Sequence, residues 1–219
     1  MKPSLRHKTI LAAAALVGLL ALRVGAQEDV EYDVYRGQFR GSELKIAGTS
    51  TVHDWEVETK LISGNLMLPK GYTLDIGLAE IPEFEEPAKA EVTITVRSIK
   101  SGKKRMDEVM WNAMKLVDFP KVTYAISELK PVNEERESGD PLGFASKGKL
   151  SVAGEEKEIE MPVTIKPLEE GGFVVHGEIT LKMSDFGISP PAPKVALGLI
   201  KTGDEVDIAF DWAIAKIED

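Results

Sequence analysis

The chain has 219 residues, a formal net charge of −9, 43% hydrophobic residues and no cysteine. Absence of cysteine excludes disulfides, thiolate metal sites, a cysteine nucleophile and a lipoprotein attachment site together. The acidic balance disfavours nucleic acid, which needs basic surface to displace counterions from phosphate, and it disfavours general adhesion to anionic membrane.

The first predicted element is a secretory leader over residues 1–26. Lys2, Arg6 and Lys8 form a basic opening, an apolar run extends from Ile10 to Leu22, and Val24, Gly25 and Ala26 place small residues before Gln27. The apolar run is short of the roughly 17–25 residues that span a bilayer, and Arg23 closes it. Cleavage near Ala26-Gln27 is therefore expected, giving one working domain over 27–219. Losing Lys2, Arg6, Lys8 and Arg23 takes the net charge from −9 to −13. With no further long apolar stretch, stable membrane insertion is not expected.

Most of the remaining sequence alternates with period two, the mark of half-buried antiparallel strands. In chain order, strands are expected at Leu44-Ile46, at Trp55, Val57, Thr59 and Leu61, and at Val92, Ile94 and Val96. They continue at Val122, Tyr124 and Ile126, at Leu150-Val152, and at Ile159, Met161, Val163 and Ile165. Phe173 and Val175 lead on to Ile179 and Leu181, and Val206, Ile208, Phe210, Trp212 and Ile214 share one face of the last strand. One segment breaks this rhythm: residues 106, 109, 110, 113, 114 and 117 fall at helical spacing from Met106 to Val117, with Pro120 beyond. Residues 68–90, 130–142 and 184–204, rich in proline or acid, read as connections. The economical fold class is all-β, with about eight strands and one inserted α-helix. A sandwich or a closed barrel would satisfy the period, and closure also removes exposed sheet edges.

Five segments in order then resemble the YceI-like family. They are Ile46-Ala-Gly-Thr-Ser-Thr-Val-His-Asp-Trp55, Ser101-Gly-Lys-Lys-Arg-Met-Asp107 with the helix to Met114, and Phe119-Pro-Lys-Val-Thr-Tyr124. Gly148-Lys-Leu-Ser-Val-Ala-Gly154 follows, then Met183-Ser-Asp-Phe-Gly-Ile-Ser-Pro-Pro191 with Gly203-Asp-Glu-Val206. The resemblance implies an extended lipocalin-like antiparallel β-barrel holding a long polyisoprenoid or fatty chain in a tunnel. Many members are periplasmic, so a periplasmic or secreted protein is expected. The proline-rich segment 184–204 departs in detail from the simplest members.

A polyisoprenoid is nearly all hydrocarbon, and each buried CH₂ contributes roughly 0.8 kcal/mol of transfer free energy. A head-group hydrogen bond adds only about 0.5–1.5 kcal/mol net. The expected tunnel lining is the inward sets: Trp55, Val57, Val92, Ile94, Val96, Tyr124, Ile126, Phe173, Phe210 and Trp212. Met110 and Met114 join from the helix, and Phe186 and Ile188 from the late connection. The same residues would equally build a solid core. Lys103, Lys104 and Arg105 precede the helix, where cations beside an anion-favouring N-terminus could hold a pyrophosphate head group or form a solvated turn.

Catalysis is not expected. Ser50, His53 and Asp54 have the residue types of a triad, but His53 and Asp54 would point to opposite faces of a strand. His53 and His176 are the only histidines after cleavage, and the carboxylates lack ligand spacing. Asp185-Phe186-Gly187 copies a kinase tripeptide without its companion motifs. The expectation is a non-enzymatic lipid carrier needing no cofactor, with a homodimer left open. The alternative is an exported barrel with a packed core that binds another protein through acidic loops.

Overall fold

The computed structural model describes residues 30–133, 136–169, 171–192 and 200–218. The expected leader and Pro193 lie outside the described residues.

Because successive side chains on a strand point to opposite faces, each alternating segment gives one apolar face to the interior. Ten strands result among the described residues, beginning with β1 (Tyr32–Gly37), β2 (Glu43–Ser50), β3 (Trp55–Thr59), β4 (Ile62–Pro69) and β5 (Lys89–Thr95). One α-helix among the described residues, α1 (Lys104–Ala113), precedes β6 (Lys121–Val132), β7 (Leu142–Val152), β8 (Glu155–Pro167), β9 (Phe173–Lys182) and β10 (Thr202–Lys216). All pairings are antiparallel, in the order β1-β4-β5-β6-β7-β8-β9-β10, and β10 pairs with β1 to close an eight-stranded barrel.

The length of β10 makes closure possible with two strands to spare. Residues 214–216 pair with β1, whereas residues 202–211 pair with β2, which carries β3 at its outer side. A two-way backbone bridge between Glu58 and Lys100 (2.9 Å each way) then ties β3 to the segment after β5.

Three local expectations are corrected. Leu61 does not continue β3; it is 51% exposed. The strand ends because the buried Thr59 hydroxyl accepts from the Leu61 N–H (3.1 Å) and donates to Ser98 (2.9 Å), forming a turn. The helix stops at Ala113 instead of reaching Val117, since Lys115 adopts φ 53 and leaves Val117 91% exposed. Finally, β1 and β4 add strands in places where no alternation was read.

The two ends of the barrel differ. At one end residues 70–88 fold over the opening, with Leu74, Ile81 and Ala88 buried in the main core. Tyr72 stacks on Phe84 (4.3 Å between centroids) and Phe84 on Phe144 (5.9 Å). The Asn133 side chain accepts from the Ile81 N–H (2.7 Å) and donates to its carbonyl (3.0 Å). Arg136 donates to the carbonyls of Leu78 and Ile76. The expected connection is thus a plug. At the opposite end lie α1, the β2–β3 turn, the β7–β8 turn and a 3-10 turn at Met183–Phe186.

Candidate functional site

Beneath α1 the barrel is hollow. A cavity of about 520 Å³ opens at this end, within the range of small-ligand pockets. The inward residues record where it stops. Along β10, Ile208 and Phe210 keep partial access, whereas Trp212 and Ile214 are buried. Along β8, Ile159 faces the cavity and Val163 and Ile165 are packed. The half nearest the plug is therefore solid, and the space is a blind pocket rather than an open-ended tunnel.

Aromatic rings help keep the lumen clear. Tyr124, Phe210 and Trp55 line the cavity, yet each occupies the place of a missing β-carbon at Gly148, Gly177 and Gly48 respectively. The rings can therefore lie against the wall. The Tyr124 hydroxyl shares a hydrogen bond with buried Ser146 (2.8 Å), and burial pushes its phenol pKa up against the opposing effect of that bond. At the floor, Trp212 Nε1 is buried beside Gly37 with no hydrogen-bond partner among the described residues.

The roof is the apolar face of α1. Met106, Val109, Met110, Ala113 and Met114 line the cavity, so the face whose Met106, Met110 and Met114 pack against the core also borders open space. Polar contacts add to the fixing of the helix. The buried Asp107 carboxylate accepts from the Ser101 N–H (2.7 Å) and hydroxyl (2.6 Å). Trp111 Nε1 donates to the Ile99 carbonyl (3.0 Å), with Arg97 over its ring (5.2 Å). A second apolar group of Ala153, Phe186 and Ile188 packs with Met114, Leu150 and Met183 to extend one wall.

Of the expected lining residues, Trp55, Val57, Val92, Ile94, Met110, Met114, Tyr124, Phe186, Ile188, Phe210 and Trp212 border the cavity. Val96, Ile126 and Phe173 do not. Val96 is buried at the start of a 3-10 turn, Ile126 packs against the core, and Phe173 meets Tyr35 edge-on (5.9 Å). Lys103 and Arg105 stand on the rim, whereas Lys104 lies away from it and faces Glu108 (4.0 Å). Leu44, Ile46, Ile159, Met161, Ile179 and Ile208 line the cavity beyond the expected set. Their signal is the alternation itself, because each shares the inward parity of its strand.

Ser50, His53 and Asp54 are not arranged as a relay. Ser50 Oγ donates to the His53 carbonyl (2.7 Å) and accepts from the His53 backbone N–H (3.2 Å). His53 Nδ1 meets the Asp54 carbonyl (2.8 Å) rather than a carboxylate. Among the described residues no group of three or more His, Asp or Glu could hold a metal ion, and no helix is long and apolar enough to cross a membrane.

Comparison with known proteins agrees with this architecture. BcnA from Burkholderia cenocepacia superposes with a TM-score of 0.60 at 18% identity, covering 84% of this chain and 99% of its own. A polyisoprenoid binding domain from Saccharophagus degradans, implicated in plant cell wall breakdown, gives 0.57 at 12% identity, covering 85% and 100%. The Campylobacter jejuni YCEI protein gives 0.50 at 18% identity, covering 74% and 85%. No curated protein matches the chain. The YceI-like domain model matches residues 30–214, nearly the whole of the described barrel, and the chain accordingly belongs to the YceI-like family.

Proposed function

We propose that this protein binds one long apolar lipid, a polyisoprenoid or fatty chain, and shields, stores or transports it without chemical change. The observation that carries the reading is the hollow half-barrel, walled almost entirely by aliphatic, aromatic and methionine side chains. A prenyl quinone or prenyl phosphate would thread its tail under α1 toward Trp212, the closed end limiting how much chain enters. Each methylene removed from water contributes roughly 0.8 kcal/mol, while ordering the tail opposes much of that gain. Lys103 and Arg105 on the rim are the residues placed to meet a phosphate head group; Lys104 is not. The description of the Saccharophagus neighbour as polyisoprenoid binding supports this ligand class. The leader read from residues 1–26 supports an exported, periplasmic or secreted carrier, and no cofactor enters the scheme.

The test is mass spectrometry of organic extracts from the purified protein, followed by reloading with a prenyl quinone or a fatty acid. A co-purifying prenyl or acyl chain, or stoichiometric reloading, is the expected result. A clean extract together with failed reloading would overturn the carrier and favour a module that acts through its outer surface.

A further inference from the structure

The polar side chains that border the cavity stand almost all at its mouth. Ser50 and His53 are at the β2–β3 turn, Lys103 and Arg105 at the start of α1, and Lys182 and Thr202 at the mouth ends of β9 and β10. Tyr124 is different. It opposes Leu150 in the β6–β7 register, and its Cζ lies 2.7 Å from where a β-carbon on Gly148 would fall. Its hydroxyl ends at Ser146 Oγ, 2.8 Å away. From Leu150 through Gly148 to Ser146 the path leads away from the mouth and toward the plug. The next inward positions, Phe144 on β7 and Ile126 on β6, pack in the core. The hydroxyl pair therefore sits at the floor, where the hollow barrel gives way to the solid one.

The hydrogens of this pair do not balance. Two hydroxyls carry two hydrogens, and the bond between them uses one. Neither oxygen has another hydrogen-bond partner among the described residues. Ser146 is 4% exposed and does not border the cavity, whereas Tyr124 does. With the serine donating to the phenol oxygen, the phenol hydrogen is left to the lumen without an acceptor. A buried donor in that state is destabilising, and native interiors seldom keep one. Trp212 Nε1 is also unpaired at the floor, but it is buried against Gly37 rather than turned to the lumen.

The surroundings decide what this donor can take. Burial pushes the Tyr124 phenol pKa up, so the hydroxyl keeps its proton. The cations that border the cavity, Lys103, Arg105 and Lys182, are all at the mouth. A phosphate or carboxylate drawn to the floor would exchange its water for a single hydrogen bond, and a buried charge needs far more than that. A neutral carbonyl needs only one donor.

We propose that the Tyr124–Ser146 pair is the binding site for a neutral carbonyl oxygen, that of a fatty acyl ester or a prenyl quinone, held head-first at the floor with its chain running out under α1. Orientation then follows head-group charge. A prenyl phosphate enters tail-first and stays at the Lys103–Arg105 rim, whereas a neutral head, a quinone included, inverts and goes to the floor. The assignment rests on the reading of the cavity as the lipid site.

The test compares hexadecane with methyl palmitate, a long alkane and an ester of similar chain, by displacement of a neutral naphthylamine fluorophore. Both lipids are titrated into the parent and into Tyr124→Phe/Ser146→Ala, which removes both hydroxyls and strands neither. The ratio of ester affinity to alkane affinity is expected to be roughly tenfold higher in the parent, with alkane affinity alike in the two proteins. An unchanged ratio overturns the floor site and leaves the cavity as a lipid site. If neither lipid displaces the fluorophore from the parent, the cavity reading fails and this assignment fails with it. Should the double variant not fold, the parent alone decides, through the infrared band of an isotope-labelled ester carbonyl. One narrow band displaced from its position in hexane is expected, as for a single hydrogen bond in apolar surroundings. A band at the hexane position, or the broad band of a hydrated ester, overturns the assignment.

Discussion

Phe210 on β10 pairs with Gly177 on β9, and a β-carbon added to Gly177 would fall 2.6 Å from Phe210 Cζ. The glycine is thus the recess that receives the ring. Gly177→Ala should drive Phe210 toward the lumen, because Val163 Cγ1, 3.2 Å from the same point, leaves the new methyl no other room. Overpacking of this kind costs about 1–3 kcal/mol. Lipid affinity should fall roughly tenfold, equivalent to one or two displaced methylenes at about 0.8 kcal/mol each. Urea unfolding and titration with a fluorescent fatty acid measure the two effects. Unchanged affinity with reduced stability would place the ligand elsewhere.

Tyr124 and Ser146 form a polar pair inside an apolar wall, and Ser146 is buried. Tyr124→Phe strands the serine hydroxyl and should destabilise the barrel by about 1–3 kcal/mol. Adding Ser146→Ala removes the stranded group and should recover most of the loss. A double-mutant cycle in urea gives the coupling, and strictly additive effects would show that the pair contributes nothing.

How far these features could be read beforehand depended on what each residue's neighbours are. Val206 through Ile214 alternate without a break because the inward positions meet the interior while outward Asp207, Ala209 and Asp211 keep access to water and the small Ala213 is covered. In β4, Gly64 at φ 146 and Asn65 interrupt that rhythm, and β1 has only six residues. The plug is harder still: Leu74, Ile81 and Ala88 are isolated among prolines and acids, in a segment that a distant loop holds through Asn133 at Ile81 and Arg136 at Ile76 and Leu78. Identical alternation also places Ile208 against a void and Ile214 in a packed core. What separates those two is the closure of the barrel ends, which no period encodes.

Asp33 and Lys216 join β1 to the end of β10 across the closure seam, with Lys216 Nζ 2.9 Å from Asp33 Oδ2. The bond to Lys216 holds the Asp33 carboxyl below its ordinary value of 3.8, with the Gly71 N–H assisting. A folded pKa below the unfolded one contributes stability fully above the unfolded pKa, lost as pH falls through the folded one. Asp33→Asn should therefore lower stability at neutral pH and narrow its difference from the parent in acid. Urea midpoints for both proteins at about pH 7 and about pH 3 provide the comparison. A constant gap would mean that protonation of Asp33 is not linked to folding.

Met110 projects from α1 into the cavity, whereas Asn112, two residues on, is exposed. The same substitution at each therefore separates filling the lumen from merely disturbing the helix. Met110→Trp adds an indole to empty space, so its unfolding midpoint should hold or rise even as the lumen shrinks. Lipid affinity should drop by roughly tenfold or more, as several methylenes worth about 0.8 kcal/mol each lose their place. Asn112→Trp, which reaches solvent, should leave affinity unchanged. Titration of both variants with the same fatty acid probe decides the matter. If Met110→Trp binds like the parent, the space under α1 does not hold the chain; if both variants lose affinity equally, the effect belongs to the helix and not to the volume beneath it.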